Sequence, residues 1–348
     1  MNNSRSSIAT PKSLGYHWPA EWESHEATWI SWPHNRKTWP EKFDPVPNLF
    51  CEFIRTVARF EPVHVLVQED ISRSVWNDVS AIKNVKLRQI TTNDCWIRDY
   101  GPWFLSHAES QQQAVVDWRY NAWGEKYPPF DADNQVPGQI AKLQSLDVFR
   151  PGLVMEAGAV ENNGAGVLMV TSQCLLNPNR NPNENKQSIE NFLCEFTGAS
   201  KVLWLFEPGQ GSLAGDDTDA HIDQLARFVS TSTIVACREG NRLDVNYLLL
   251  EWLHHQLREQ TDASGKHFDV IDLPMPAPVY HNGQRLPASY ANFYVGNGFV
   301  VLPEFGCAQD KIAMGILKDV FPGREIIMIN AVDLIWGLGA FHCVSMQQ

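Results

Sequence analysis

The sequence has no C-x-x-C motif, and its seven cysteines are an odd number. Both facts argue against a disulfide framework and a cysteine-built zinc site, and they suit a reducing compartment with free thiols. Positive charge is scarce: 28 Lys and Arg stand against 40 Asp and Glu, a net charge of −12. Nucleic-acid binding depends on a basic surface, so no nucleic-acid partner is expected. No apolar run approaches the ~20 residues that span a bilayer, so no membrane segment is expected. The polar residues 1–14 lack the apolar core of a secretory signal and read as a loose N-terminal segment. The expected location is the cytoplasm. Low-complexity stretches are also missing, and no linker divides the chain, so residues 1–348 read as one domain.

What is present is an ordinary globular composition, with 44% hydrophobic and 20% charged residues. The acidity has two readings. It can serve solubility alone, or it can belong to a cleft that concentrates cationic substrates. Homo-oligomerisation is left open at this level.

The strand pattern repeats. Residues 167–171 read as a buried strand, 186–196 as a helix and 201–206 as a strand. The same grammar returns at 228–237 (two short β runs), 245–260 and 268–273, and again at 292–303, 309–320 and 325–330. Apolar spacing supports the helices, and β-branched content supports the strands. The first half follows less regularly, with 28–32, 47–60 and 63–68, then 114–118, 138–143 and a strand ending near Met155. Five strand-strand-helix-strand units at a spacing of ~65 residues predict an α/β fold closed into a ring around a central site. A plain α/β domain with coincidental spacing is the alternative.

Four clusters carry chemistry. The run 93–102 holds Asp94, Trp96, Arg98 and Asp99 before a Gly-Pro turn, where a carboxylate could grip a guanidinium through paired hydrogen bonds. A structural Trp beside an Arg98–Asp94 surface pair is the bland reading. Glu156 follows the apolar 153–155, where a buried carboxylate needs a partner; a surface turn is the alternative. The run 215–223 sets Asp216, Asp217 and Asp219 before His221 and Asp223 after it. Negative neighbours favour the imidazolium, which suits a proton-transfer histidine. Helix-start acids or a cation site are the other readings, although the calcium-loop register is not met. The run 337–343 places Cys343 after Gly337, Gly339 and Ala340, small residues that favour a reachable thiol. His342 is expected to point away from that thiol in an extended segment, leaving His221 as its partner. Guanidinium is planar, cationic and resonance-stabilised. Cleaving its C–N bond requires a thiolate nucleophile, carboxylates that hold the plane, and a group that protonates the departing nitrogen. No metal and no organic cofactor is required.

At these clusters the sequence resembles the agmatine deiminase family, within the guanidine-modifying superfamily that includes bacterial peptidylarginine deiminases. The likeness runs from 15–29 through 96–102, 117–124, 174–181, 216–223 and 291–294 to His342 and Cys343. It implies the pentein fold, a fivefold α/β propeller, and a small cationic guanidino substrate. It further implies Cys343 as nucleophile through a thiouronium intermediate, and His221 as general acid and then base. Asp99 and Asp223 would hold guanidinium nitrogens, and Glu156 would orient substrate or histidine. Asp217, Trp96, Trp118 and Gly339 would line the substrate pocket. The family pattern is broken at Ala157, Ala220, Leu338, Ala340 and Phe341. Each change is expected to add a side chain near the pocket. A peptidylarginine deiminase, a deiminase of another small guanidine, an amidinotransferase, a metal-dependent hydrolase and a catalytically dead binding protein are the competing readings.

Overall fold

The computed structural model describes residues 9–71 and 73–348. Strands such as Thr28–Ser31, Val63–Val67 and Val167–Thr171 are buried along their whole length. Continuous apolar runs of this kind mark strands covered on both faces. Helices Val46–Ala58, Lys186–Thr197 and Tyr247–Glu259 each bury one apolar stripe against them.

Among the described residues the strands form five sheets of three or four strands and one separate hairpin, Tyr280–His281 with Gln284–Arg285. One grammar runs through all five sheets. A short first strand pairs antiparallel with a buried second strand. A helix then crosses to a third strand that lies parallel to the second. The elements Val160–Asn162, Val167–Thr171, Lys186–Thr197 and Lys201–Leu205 do this. So do Ala226–Phe228, Thr233–Arg238, Tyr247–Glu259 and Asp269–Pro274. Tyr294–Gly296, Phe299–Glu304, Gln309–Val320 and Glu325–Asn330 follow. Trp103–His107, Gln113–Val116, Val136–Gln144 and Asp147–Phe149 make another, with Tyr16–His17 added at its edge. The remaining sheet is built from both ends of the chain. Ser345–Gln347 supplies the antiparallel strand beside Thr28–Ser31, which runs parallel to Val63–Val67. A further strand, Val85–Gln89, extends that sheet. Buried side chains from Trp18 to Met346 form one continuous core.

One strand departs from expectation. The run toward Met155 stops at Phe149, and only a single bridge, Arg119 to Val154, continues the pairing. Pro151 and Gly152 (φ 82°) interrupt it, because proline cannot donate to the ladder and the glycine turns the chain. The N-terminal segment lies outside the described residues as far as Ile8. From Thr10 the chain is held: its hydroxyl donates to Glu195 Oε2 at 2.7 Å, and Lys12 Nζ donates to the Ala199 carbonyl at 2.9 Å. Among the described residues no helix is long and apolar enough to cross a membrane.

The repeat positions the site. Asp99, Glu156, Asp223, Asn292 and Cys343 each lie two to four residues before the first strand of a different sheet. Each unit therefore presents one loop residue at the same place in its plan.

Candidate active site

Cys343 is buried, with its residue 6% exposed. Asn292 Nδ2 lies 3.1 Å from its Sγ, and Asp223 Oδ2 lies 3.7 Å away. Burial pushes the thiol well up, and the charges of Asp223 and Asp99 push in the same direction. The backbone carbonyl of Cys343 accepts from the amide of Arg98 at 3.1 Å, which docks the nucleophile on the Ile97–Tyr100 turn that carries Asp99.

Asp99, His221, Asp223 and Glu156 converge beside it. A Cβ built on Gly158 would stand 2.6 Å from Asp99 Oδ1, 2.7 Å from His221 Nδ1 and 3.2 Å from Asp223 Oδ2. Only glycine lets the backbone approach these three groups together. His221 sits between two carboxylates, with Nδ1 3.6 Å from Asp99 Oδ1 and Nε2 3.6 Å from Glu156 Oε2. Burial works against its charged form, but Asp99, Cys174 and Glu156 outweigh burial and raise it well above the usual histidine range. Among the described residues both ring nitrogens lie just beyond hydrogen-bond reach of a partner. Asp99 is pushed up to about 6, chiefly by burial, with His221 opposing and Asp223 and Glu156 adding. It accepts from Trp123 Nε1 at 2.9 Å and from the Gly158 amide at 3.1 Å.

Glu156 and Asp223 behave oppositely to Asp99. Burial would raise Glu156, but Arg180 (Nε to Oε1, 3.0 Å) and His221 hold it below the usual range. Burial would likewise raise Asp223, but His342 outweighs it and holds the group low. His342 Nδ1 lies 2.7 Å from Asp223 Oδ2, and Nε2 lies 2.8 Å from Glu21 Oε2. Glu21 in turn bonds Arg227 at 2.6 Å. With one oxygen taken by His342 and by Asn292 (3.1 Å), Asp223 keeps Oδ1 buried and without a hydrogen-bond partner among the described residues. Four ionisable groups thus divide into two held charged by fixed partners and two, Asp99 and His221, whose charge depends on each other.

The remaining expected residues are placed as follows. Trp96 packs against Trp39, and its ring lies against Gly337 and Gly339. A Cβ on Gly339 would stand 2.6 Å from that ring and 3.0 Å from Cys343 Cβ, so Gly339 seats the nucleophile against Trp96. Asp217 is partly exposed, and its carboxylate accepts from Tyr127 Oη at 2.5 Å. Trp118 is not brought to the site. It packs in the core against Trp103 and Phe196, and the tryptophan that reaches Asp99 is Trp123. The chain there passes through four consecutive left-handed residues, Ala122 (φ 50°) to Glu125 (φ 64°), which swings Trp123 inward. Non-glycine residues adopt this conformation at a cost, and such strain collects at functional sites. The Asn121 side chain holds the turn by accepting from the Gly124 amide at 2.9 Å.

The family departures fall mostly outside this cradle, contrary to expectation. Phe341 packs on Phe53 at 5.0 Å within the core. Ala157 lines a small cavity of about 20 Å³ with Trp18, Glu21 and Arg98, while Gly158 faces the reacting groups. Ala340 is buried, and its amide donates to Asn292 Oδ1 at 3.0 Å. Leu338 (φ 73°) is partly exposed.

Sequence reasoning missed Asn292, Arg180, Gly158 and the Asp223–His342–Glu21 chain as parts of the site. Asn292 had a signal in its place just before the first strand of its unit. An open cavity of about 610 Å³ is lined by Arg119, Asn179, Arg180 and neighbours rather than by Cys343. It meets the site through Arg180. Glu156, Cys174 and His221 bring ligand atoms within 4.8 Å of one another, a spacing a metal ion can use. Arg180 already places a cation on Glu156 there, which opposes a second one.

The Porphyromonas-type peptidyl-arginine deiminase model matches residues 17–348. The chain belongs to this family. It is 36% identical over 340 residues to a Legionella pneumophila (strain Paris) protein provisionally named agmatine deiminase, covering 97% of this chain and 96% of that one. The agmatine deiminase of Enterococcus faecalis superposes with a TM-score of 0.91 at 27% identity, over 99% of this chain and 98% of the other. A cysteine-to-serine variant of the C. jejuni agmatine deiminase with substrate bound superposes at 0.87 and 32%, over 96% of each chain.

Proposed function

We propose that this protein is an agmatine deiminase, hydrolysing the guanidinium C–N bond of agmatine to N-carbamoylputrescine and ammonia without metal or organic cofactor. The reading is carried by the convergence of Asp99, His221 and Asp223 within 3.2 Å of one point at Gly158, with Asp223 3.7 Å from the Cys343 thiol. Two carboxylates so placed pair with a planar cation. The five sheets are read as blades of one closed propeller and residues 1–348 as one domain, the strand Ser345–Gln347 joining the two ends of the ring.

The free thiol is held protonated by burial and by Asp223 and Asp99. A guanidinium bound between those carboxylates supplies the missing positive charge. The thiol then loses its proton to solvent as substrate docks. The thiolate attacks the guanidinium carbon to form a C–S bond. The His221 imidazolium gives its proton to the departing nitrogen, the C–N bond breaks, and ammonia leaves a thiouronium. Neutral His221 then takes a proton from water, whose oxygen attacks the same carbon. The C–S bond breaks with its electron pair returning to sulfur, the new hydroxyl passes its proton to the thiolate, and the ureido product leaves. Glu156, fixed by Arg180, keeps His221 oriented and favours its charged form.

Burial of the reacting side chains favours a small free guanidine over an arginine within a peptide. Asp217, at the partly exposed edge, suits the distal ammonium of agmatine. Trp96 and Gly339 form the wall behind the nucleophile. The test is ammonia release from agmatine, arginine and an arginyl peptide by wild type and Cys343→Ala. Agmatine should be turned over far faster than the others, and the variant should be inactive. Turnover of only another guanidine would overturn the substrate, and an active Cys343→Ala would overturn the mechanism.

A further inference from the structure

Of the five equivalent loop positions, four carry groups that can ionise: Asp99, Glu156, Asp223 and Cys343. The fifth is Asn292, wholly buried and never charged. Its orientation is fixed by the backbone. Oδ1 accepts from the amides of Ala340 at 3.0 Å and Cys343 at 3.3 Å. Nδ2 donates to Asp223 Oδ2 at 3.1 Å and stands 3.1 Å from Cys343 Sγ. A side-chain amide has one oxygen with two acceptor sites and one nitrogen with two N–H groups, and here all four are used. Turning the amide over would set its nitrogen against two backbone N–H groups, so the N–H end is the one that meets sulfur.

The sulfur needs such a donor. The charged groups that bear on it are the carboxylates of Asp223 and Asp99, and both oppose a thiolate. His342 is engaged by Asp223 and Glu21, and His221 lies between Asp99 and Glu156. A bound guanidinium offsets the carboxylates while sulfur attacks. When the C–S bond breaks, the electron pair returns to sulfur beside a neutral ureido product, and the substrate's positive charge is gone. Only uncharged donors then face the sulfur, Asn292 at 3.1 Å and, more weakly, Gln224 Nε2 at 3.9 Å. We propose that Asn292 is a catalytic residue whose Nδ2–H donates to the Cys343 thiolate, both as it attacks and as it leaves. A fixed donor aimed at developing negative charge is worth more in a buried site than in water. The inference rests on Cys343 being the nucleophile and names the group that stabilises its charge.

The test is the reactivity of the sulfur itself, in wild type, Asn292→Ala and Asn292→Asp. The probe is chloroacetamidine, a small cation that enters as a guanidinium does. The thiolate displaces its chloride, so this reaction needs no proton from His221. Modification is read at Cys343 by peptide mass mapping, at about pH 9, where the introduced carboxyl has lost its proton. Both variants should be modified about tenfold or more slowly than wild type. With agmatine at the same pH, kcat should fall ~10²-fold. KM should not rise in Asn292→Asp, because the added carboxylate attracts the cation. A residue that merely held the loop would raise KM instead. Asn292→Asp keeps an acceptor for the Ala340 and Cys343 amides, so it preserves the loop should Asn292→Ala fail to fold, and far-UV circular dichroism checks both. A folded Asn292→Asp whose Cys343 is modified at the wild-type rate would overturn the proposal. So would a kcat within about twofold of wild type. Either result would leave the nucleophile itself standing, since that is decided separately by Cys343→Ala.

Discussion

The pH dependence of stability should reveal the cost of holding Asp99 ready to bind a cation. Its carboxyl stands at about 6 in the folded protein against an ordinary 3.8, chiefly because burial disfavours its charge. A raised carboxyl binds its proton more tightly folded than unfolded. Between the two values the folded state therefore holds more protons, and stability falls as pH rises through that window. The gap of about 2 units at 1.36 kcal/mol per unit is worth ~3 kcal/mol. Asp99→Asn removes this titration. It also leaves either Trp123 Nε1 or the Gly158 amide without an acceptor, a constant loss of ~1–3 kcal/mol. The constant loss does not vary with pH. Urea unfolding of both proteins at pH 4, 5, 6 and 7 separates the two effects. The stability difference should shift toward the variant by ~3 kcal/mol from the acid to the neutral end, and go on in the same direction above it as the raised His221 of the wild type loses its proton. Activity should be lost in the variant at every pH. In wild type, kcat/KM should fall on the acid side as Asp99 takes up its proton. A flat difference, or a shift toward wild type, would refute the account of Asp99 as a strained anion.

Gly158→Ala should abolish ammonia release, because its Cβ would intrude within 2.7 Å of Asp99 and His221, while urea unfolding shows a loss of only ~1–3 kcal/mol. His342→Gln should cost more stability, ~3–5 kcal/mol at pH 7, because the buried carboxylate of Asp223 would lose its partner at 2.7 Å, while Glu21 keeps Arg227. Equal stability of the His342 variant and wild type would remove the ion chain from the account.

Much of the fold was legible because its signals are local. The helices at 309–320 and 186–196 and the strands at 167–171 and 325–330 were placed almost to the residue, since apolar spacing and β-branched runs need no tertiary context. The short antiparallel strands Val160–Asn162 and Ser345–Gln347 were not legible. Three residues carry too little periodicity, and the second pairs with a strand more than 300 residues away. The site followed the same division. Cys343, His221, Asp99, Asp223 and Glu156 stood out by residue type, and the structure gathers all five. Trp118 and Trp123 share one motif, and only the run of left-handed residues decides which of them turns inward. Arg180 carried no sign of its role, and His342 was expected only to point away from the thiol, because their partners, Glu156, Glu21 and Asp223, come from distant segments. The added bulk at Phe341 looked like a pocket wall, but its partner is Phe53 in the core.

Cys343 is docked on Arg98 across 245 positions of chain, by the step from the Ile97–Tyr100 turn to the last sheet strand. Contacts between segments so far apart in sequence form only after the largest loop has closed, and they are the slowest to assemble. Individual sheets can acquire their helices and parallel pairs earlier, from neighbouring sequence. During refolding a population should therefore exist that has its secondary structure and much of its core but no nucleophile in place. Recovery of ammonia release would then trail recovery of circular dichroism, and the thiol of Cys343 would stay open to alkylating reagents until the final strand has paired.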